Sequence, residues 1–175
     1  AAKVPQPIRD RGTLIVTGSA GTAPPLRFYA DDDKTIIGSE TDFAHLLGDV
    51  LDLDVELTAA DWAQNFVRVD SGEADVFISN VTVTEERKEK YDFSTYRLDN
   101  LAFEVKKDSG IEVKDPKDVA GLKVGVSSGT NQEALLVEWN EQNIAAGLEP
   151  TEILYFQNAT DYYLALGSGR IDAYF

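Results

Sequence analysis

The stretch Thr82–Val83–Thr84–Glu85–Glu86–Arg87 concentrates chemistry-bearing side chains at one expected helix start. Thr84 is a good N-cap, and Glu85 and Glu86 suit the positive end of a helix dipole. Arg87 then falls in the first turn, where a cation repels that dipole by about 0.3–1 kcal/mol. An arginine that meets an anion there gains roughly 1.5–3 kcal/mol per charge-assisted hydrogen bond. The stretch therefore reads as a clamp for the carboxylate of a small ligand. A solvated helix start is the other reading of the same residues.

The remaining reactive side chains offer less. His45 is the only histidine and lies among Phe43, Leu46 and Leu47 on an amphipathic pattern, as an ordinary helix residue would. With no cysteine in the chain, one histidine makes no zinc site. Asp31–Asp32–Asp33 lacks the spacing and distant Glu of a calcium loop and reads as a solvated turn. Glu85 and Glu86, adjacent on a helix, point about 100° apart and do not readily share a catalytic site. No G-x-S-x-G, Walker loop or H-E-x-x-H occurs. No catalytic residue, metal site or cofactor is expected.

Composition sets wider bounds. The 175 residues allow one large domain or two small ones, and 43% hydrophobic content suffices for a packed core. The net charge of −15 opposes binding to nucleic acid or to anionic lipid. It says little about a small ligand, because surface charge is screened within about 8 Å at physiological salt. No window approaches a transmembrane run. Methionine is absent even at position 1, so the N-terminus reads as processed or trimmed; a removed secretory leader is one explanation.

These side chains need elements to place them. Thr13–Gly18 reads as a buried strand, and Phe28–Ile37 as a hairpin around the acidic turn. Phe43, Leu46, Leu47, Val50 and Leu51 recur at helical spacing from Ser39 onward. Asp54–Ala59 is a second strand, a helix from Trp62 ends at Gly72, and Ala74–Ile78 is a third strand running into Ser79–Asn80. Such β-α-β-α-β order predicts an α/β protein with a mostly parallel sheet and helices on both faces. Ligands bind at the carboxyl ends of such strands, where Ser79, Asn80 and Thr82 stand.

A second unit follows. Leu101–Val105 is extended, and Lys106–Pro116 is polar. Leu122–Ser127 is a strand entering Ser128–Gly129–Thr130 and a helix with Leu135, Leu136 and Trp139, an anion-friendly geometry. Thr151–Phe156 is a strand, Asn158 caps a helix through Leu166 that Gly167–Ser168–Gly169 ends, and Ile171–Phe175 is a last strand. Ser71–Gly72–Glu73–Ala74–Asp75 and Ser168–Gly169–Arg170–Ile171–Asp172 match between the halves. Any two βαβ units share some of this rhythm.

Taken in order, several pieces resemble the extracytoplasmic solute-binding proteins of polar amino-acid ABC transporters, family 3. They are Pro24–Pro25–Leu26 with Phe28, Gly38 with Asp42, Trp62, the Ser71–Asp75 and Thr82–Arg87 stretches, and Asp92–Phe93–Ser94. Leu122–Val126, Ser128–Gly129–Thr130 and Gly169–Ala173 complete the match. The resemblance implies the type II two-lobe periplasmic-binding-protein fold, α/β in each lobe, with lobe 1 at 1–102, a first hinge strand at 103–106 and an incomplete lobe 2 at 107–175. It implies that Arg87 binds an amino acid's α-carboxylate with Ser79, Asn80 and Thr82, that Thr130 and Asn131 close on it from lobe 2, and that Trp62 packs the ligand side chain. It further implies delivery to the membrane permease of an ABC importer, a monomer when full length, and a location outside the cytoplasm, in the periplasm or as a surface lipoprotein, with the leader removed. A sensor input domain of the same fold and a dehydratase-type enzyme on it are the alternatives.

Three departures from the family pattern carry expectations. Gly21–Thr22–Ala23 stands where members carry an aromatic lid, and no acidic residue stands in Gly18–Ala23, so the ligand is expected to be uncharged or acidic and not cationic. Thr95–Tyr96–Arg97 replaces the usual Pro–Tyr after Ser94. Members run on beyond the place of Phe175, so the carboxylate for the ligand's amine is expected past that residue, and residues 1–175 alone are not expected to form a competent closing receptor.

Overall fold

The opening strand of the expected sheet, β1, spans Thr13–Gly18 in this computed structural model, which describes residues 3–20 and 24–175. A short helix that the sequence reading missed, α1 (Gln6–Arg11), precedes it and ends on Gly12 in the left-handed conformation. The expected hairpin forms from β2 (Phe28–Tyr29) and β3 (Ile36–Ile37), which pair antiparallel. Its turn is tied by Asp32, whose carboxylate accepts from the backbone of Lys34 and Thr35 at 2.9 and 2.8 Å. Helix α2 (Ser39–Leu51), strand β4 (Asp54–Ala59), helix α3 (Trp62–Ser71) and strand β5 (Val76–Phe77) complete the first set. The sheet runs β4-β1-β5, all parallel.

Helix α2 forms where its periodicity places it, and Phe43 and Leu47 of the expected face pack on the core, but the buried face is shifted toward smaller residues. Leu46 and Val50 are 55% and 69% exposed, while Glu40, Thr41, Ala44 and Gly48 are buried. The reason is close approach. A Cβ on Gly48 would stand 2.4 Å from Val55 Cγ2 and 2.8 Å from Leu53 O, so the helix lies against β4 through its smallest residues. Leu14, Val16, Ala44 and Ile78 form the buried centre of this layer.

The one-turn helix α4 (Glu85–Lys88) and strand β6 (Glu104–Val105) follow. A 3-10 turn over Pro116–Val119 is capped by Asp115. Then come β7 (Lys123–Val126), α5 (Asn131–Ala145), β8 (Glu152–Tyr155), α6 (Ala159–Ser168) and β9 (Ala173–Tyr174). Helix α6 includes Gly167 and Ser168 and ends on left-handed Gly169, two residues later than expected. The second sheet is β6-β9-β7-β8, parallel except for β6 against β9. Val119, Val124, Val126, Leu136, Ala173 and Phe175 are its core, with Phe103 stacked on Phe175 at 4.0 Å. The chain divides into two compact units, one to Val81 and one from Thr82.

Candidate functional site

In the second unit, Thr84 caps α4 as expected, its hydroxyl accepting from the Arg87 N–H at 3.2 Å. The helix is one turn long, so Arg87 stands in its last turn as much as its first. The dipole conflict read from the sequence therefore does not arise, because a macrodipole needs several aligned peptides. Tertiary contacts place the side chain instead. Arg87 Nη1 donates to Thr82 O at 2.8 Å and Nη2 to Gly129 O at 3.0 Å. The guanidinium is thus fixed beside the loop that leads from β7 into α5. Burial pushes its pKa below the ordinary arginine value, with the nearby charges of Glu86 and Tyr91 opposing that shift.

That loop is held from both ends. Thr130 Oγ1 donates to Ser127 O at 2.7 Å and accepts from the Glu133 N–H at 3.1 Å. Glu133 Oε2 accepts from the Gly129 N–H at 2.5 Å. The Thr130 hydroxyl is therefore engaged in capping, and what the loop offers an anion is backbone. No acceptor among the described residues meets the N–H groups of Asn131 and Gln132, the first two residues of α5. A guanidinium beside the open N-terminus of a four-turn helix suits a carboxylate.

The other candidates lie in the first unit. Ser79 Oγ accepts from the Ser19 N–H at 3.1 Å, tying the carboxyl end of β5 to that of β1. Asn80 takes a left-handed φ of 49°, and its N–H donates to Glu40 Oε1 at 2.7 Å. Trp62 is half-buried and joins an aromatic cluster, 5.5 Å from Phe66 and 5.4 Å from Phe77 between ring centroids. Gly21–Thr22–Ala23, where the missing lid was expected, lie outside the described residues. His45, Glu85 and Glu86 are exposed, and Asp31–Asp33 form a surface turn.

Sequence reasoning missed three buried polar residues at these strand ends. Asn65 is fully buried; its Nδ2 donates to Ala60 O and Asp61 O, and Thr17 Oγ1 donates to its Oδ1 at 2.5 Å. Arg27 is 1% exposed and donates from Nη2 to Thr58 O at 2.9 Å. Glu40 is 2% exposed. Only Asn65 carried a sequence signal, as a polar residue three positions after Trp62 on the helix face that also holds Phe66. Arg27 and Glu40 look like ordinary surface charges in a polar hairpin and a helix first turn.

The chain matches the family described as bacterial extracellular solute-binding proteins, family 3, over residues 15–173, and it belongs to that family. It is 38% identical to the L-cystine-binding protein TcyJ of Escherichia coli over 167 residues, 95% of this chain and 59% of that protein. It is 32% identical to the arginine-binding protein ArgT of Corynebacterium glutamicum, over 98% of this chain and 56% of that one. The chain thus spans a little over half the length of these relatives. Among solved structures it is similar to an ancestral arginine-binding protein bound to arginine, with TM-score 0.82, 33% identity, and 94% and 69% coverage of the two chains. It is equally similar to AncCDT-1, an ancestral amino acid-binding protein described as a precursor of cyclohexadienyl dehydratase, at TM-score 0.82 and 29% identity over 96% of this chain and 71% of that one. The α/β fold is that of the periplasmic-binding-protein structures. No helix among the described residues is long and apolar enough to cross a membrane.

Proposed function

We propose that the protein binds a free amino acid through its α-carboxylate and delivers it to an ABC importer. The observation that carries this is the Arg87 guanidinium, fixed on Thr82 O and Gly129 O beside the open N-terminus of α5. In this reading Arg87, Thr82, Thr130 and Asn131 hold the carboxylate. Ser79 and Asn80 contribute from the end of β5, and Trp62 packs the ligand side chain. The lobes are 1–102 and 107–175 with a hinge strand at 103–106; the compact division at Val81 falls inside the first of these. The full-length protein works outside the cytoplasm after loss of a leader, as a monomer, with a transporter permease as partner. It is a binding protein and not an enzyme.

Relatives named for cystine, arginine and glutamine show that the family's ligands vary widely in side chain. For this chain the reading favours a polar, uncharged or acidic side chain, because the sequence of the Gly18–Ala23 loop holds no carboxylate. A thermal-shift screen of the amino acids on the full-length protein tests both levels. A ligand stabilises by RT ln(1 + [L]/Kd), about 2.7 kcal/mol at a hundred times Kd. A largest shift with lysine or arginine overturns the choice of ligand class. No shift with any amino acid overturns the function.

A further inference from the structure

We infer that Glu40 and Arg27 are positioning residues: a buried acid and base that hold the Ser79–Asn80 backbone in the conformation the binding site uses. This rests on the amino-acid-binding reading above. Glu40, the second residue of α2, is 2% exposed and accepts the Asn80 N–H at 2.7 Å. Asn80 sits at φ 49°, where few residues other than Gly are at ease, although Asn tolerates it better than most. A left-handed residue at a strand end persists when its surroundings hold it there. Here the Glu40 carboxylate grips its N–H, and Ser19 N grips the Ser79 side chain one residue earlier.

Arg27 supplies a buried cation to the arrangement. Its guanidinium lies across the carboxyl ends of β1 and β4, donating to Thr58 O at 2.9 Å. Gly18 makes room for it: a Cβ there would stand 3.0 Å from Arg27 Nε and 2.4 Å from Ile78 O. Burial pushes the Arg27 pKa down, and Glu40 is the chief charge opposing that shift. Arg27 Nε and Nη1 find no acceptor among the described residues although the side chain is 1% exposed. An apolar residue would fill this slot at less cost, since buried ions with unmet nitrogens are unfavourable beside hydrophobic replacements. Expense of this kind is expected at sites kept for function. The cation balances the acid that Asn80 needs.

The test separates holding the backbone from holding the fold. Glu40→Gln, Glu40→Leu and the double variant Arg27→Met/Glu40→Leu are made in the full-length protein. Amino-acid binding is measured by calorimetry and stability by urea unfolding. Glu40→Gln keeps an amide oxygen for the Asn80 N–H and is expected to bind within about threefold of wild type, whereas Glu40→Leu is expected to bind about tenfold or more weakly. Removing both charges is expected to recover the stability that Glu40→Leu loses, while affinity stays about tenfold down. A double variant that binds as tightly as wild type overturns the inference, as does affinity that follows stability across the set. Glu40→Gln supplies the comparison if Glu40→Leu does not fold: binding as weak as that of the double variant overturns the role of the hydrogen bond. Wild-type protein that binds no amino acid overturns the functional reading itself.

Discussion

The two units are built on one plan and differ at the point where each central strand meets its first helix. In both, the first strand lies between the other two, as β4-β1-β5 and as β8-β7-β9. In both, a Ser–Gly pair ends the second helix in a left-handed turn, at Gly72 with φ 75° and Gly169 with φ 78°. Three residues later an aspartate reaches the central strand: the Asp75 carboxylate accepts the Ile15 N–H and the Asp172 carboxylate the Lys123 N–H, each at 2.8 Å. The internal likeness read from the sequence is thus a shared hydrogen-bonding device and more than a shared rhythm.

The difference lies in how the helix start is used. In the first unit, Pro25 O and Leu26 O accept the N–H groups of Ser39 and Glu40. That helix end is filled by its own chain. In the second unit only Ser127–Thr130 intervene between β7 and α5, and no acceptor among the described residues meets the N–H groups of Asn131 and Gln132. One scaffold gives a closed helix start that positions backbone and an open one that suits an anion.

The comparison breaks most readily at Arg87. Arg87→Ala in the full-length protein is expected to cost roughly 3–5 kcal/mol of binding, several hundred-fold or more in affinity. Near-normal affinity by calorimetry removes the anion-binding role from the second unit.

The two central strands offer the next contrast. A Cβ at Gly18 meets the backbone oxygen of Ile78 at 2.4 Å, whereas one at Gly125 meets side chains, Ile171 Cδ1 at 2.8 Å and Phe156 Cε2 at 2.9 Å. Side chains can shift more readily than backbone held by hydrogen bonds, and Ile78 N–H donates to Thr17 O at 3.0 Å. Gly125→Ala is therefore expected to cost about 1–3 kcal/mol and Gly18→Ala about 3 kcal/mol or more by urea unfolding. Equal losses would show that the strand ends are equally free to adjust.

The matched aspartates should differ less. Asp75 also pairs with Arg11, and its side chain is 10% exposed, while the Asp172 bond is at the surface. Asp75→Ala is expected to lower stability by about 1.5–3 kcal/mol and Asp172→Ala by about 1 kcal/mol. The reverse order in urea unfolding would make the second device the stronger.

The smallest effect concerns alkali. Tyr162 and Tyr174 in the second unit, stacked at 3.6 Å, have pKa values raised by burial. Because the folded values lie above the unfolded one, the stability these phenols contribute is complete below about pH 10 and declines as pH rises through the folded values. Tyr174→Phe should flatten the alkaline loss measured by urea unfolding. An unchanged slope above pH 10 would place the loss elsewhere.

The two units also differ in how much of their sites can be read from sequence. In the second, Thr84 and Asn158 cap the helices they were expected to cap, with hydroxyl and amide oxygens accepting from Arg87 N and Asp161 N. Those are bonds across three residues, which local sequence encodes. Arg87 was singled out for a conflict with a helix dipole that a single turn does not supply, and its contacts to Thr82 O and Gly129 O come from the tertiary structure. In the first unit the expected face of α2 held for Phe43 and Leu47, which pack on the core, but not for Leu46 and Val50. Periodicity marks the bulky residues Leu46 and Val50, whereas close packing on β4 selects the small ones, Ala44 and Gly48. Glu40 and Arg27 were invisible because burial of a charge depends on what the rest of the chain brings to it.

The sequence by itself determined the order of strands and helices, their caps, the repeated Ser–Gly…Asp device and membership of the solute-binding family. These follow from backbone preferences and hydrophobic spacing that act over a few residues. Tertiary structure alone decided that Arg87 holds Gly129 O, 42 positions away, and that Glu40 holds Asn80, 40 positions away. Such contacts depend on how closely elements pack, and that distance is set by residues such as Gly18 and Gly48 that have no side chain to announce it.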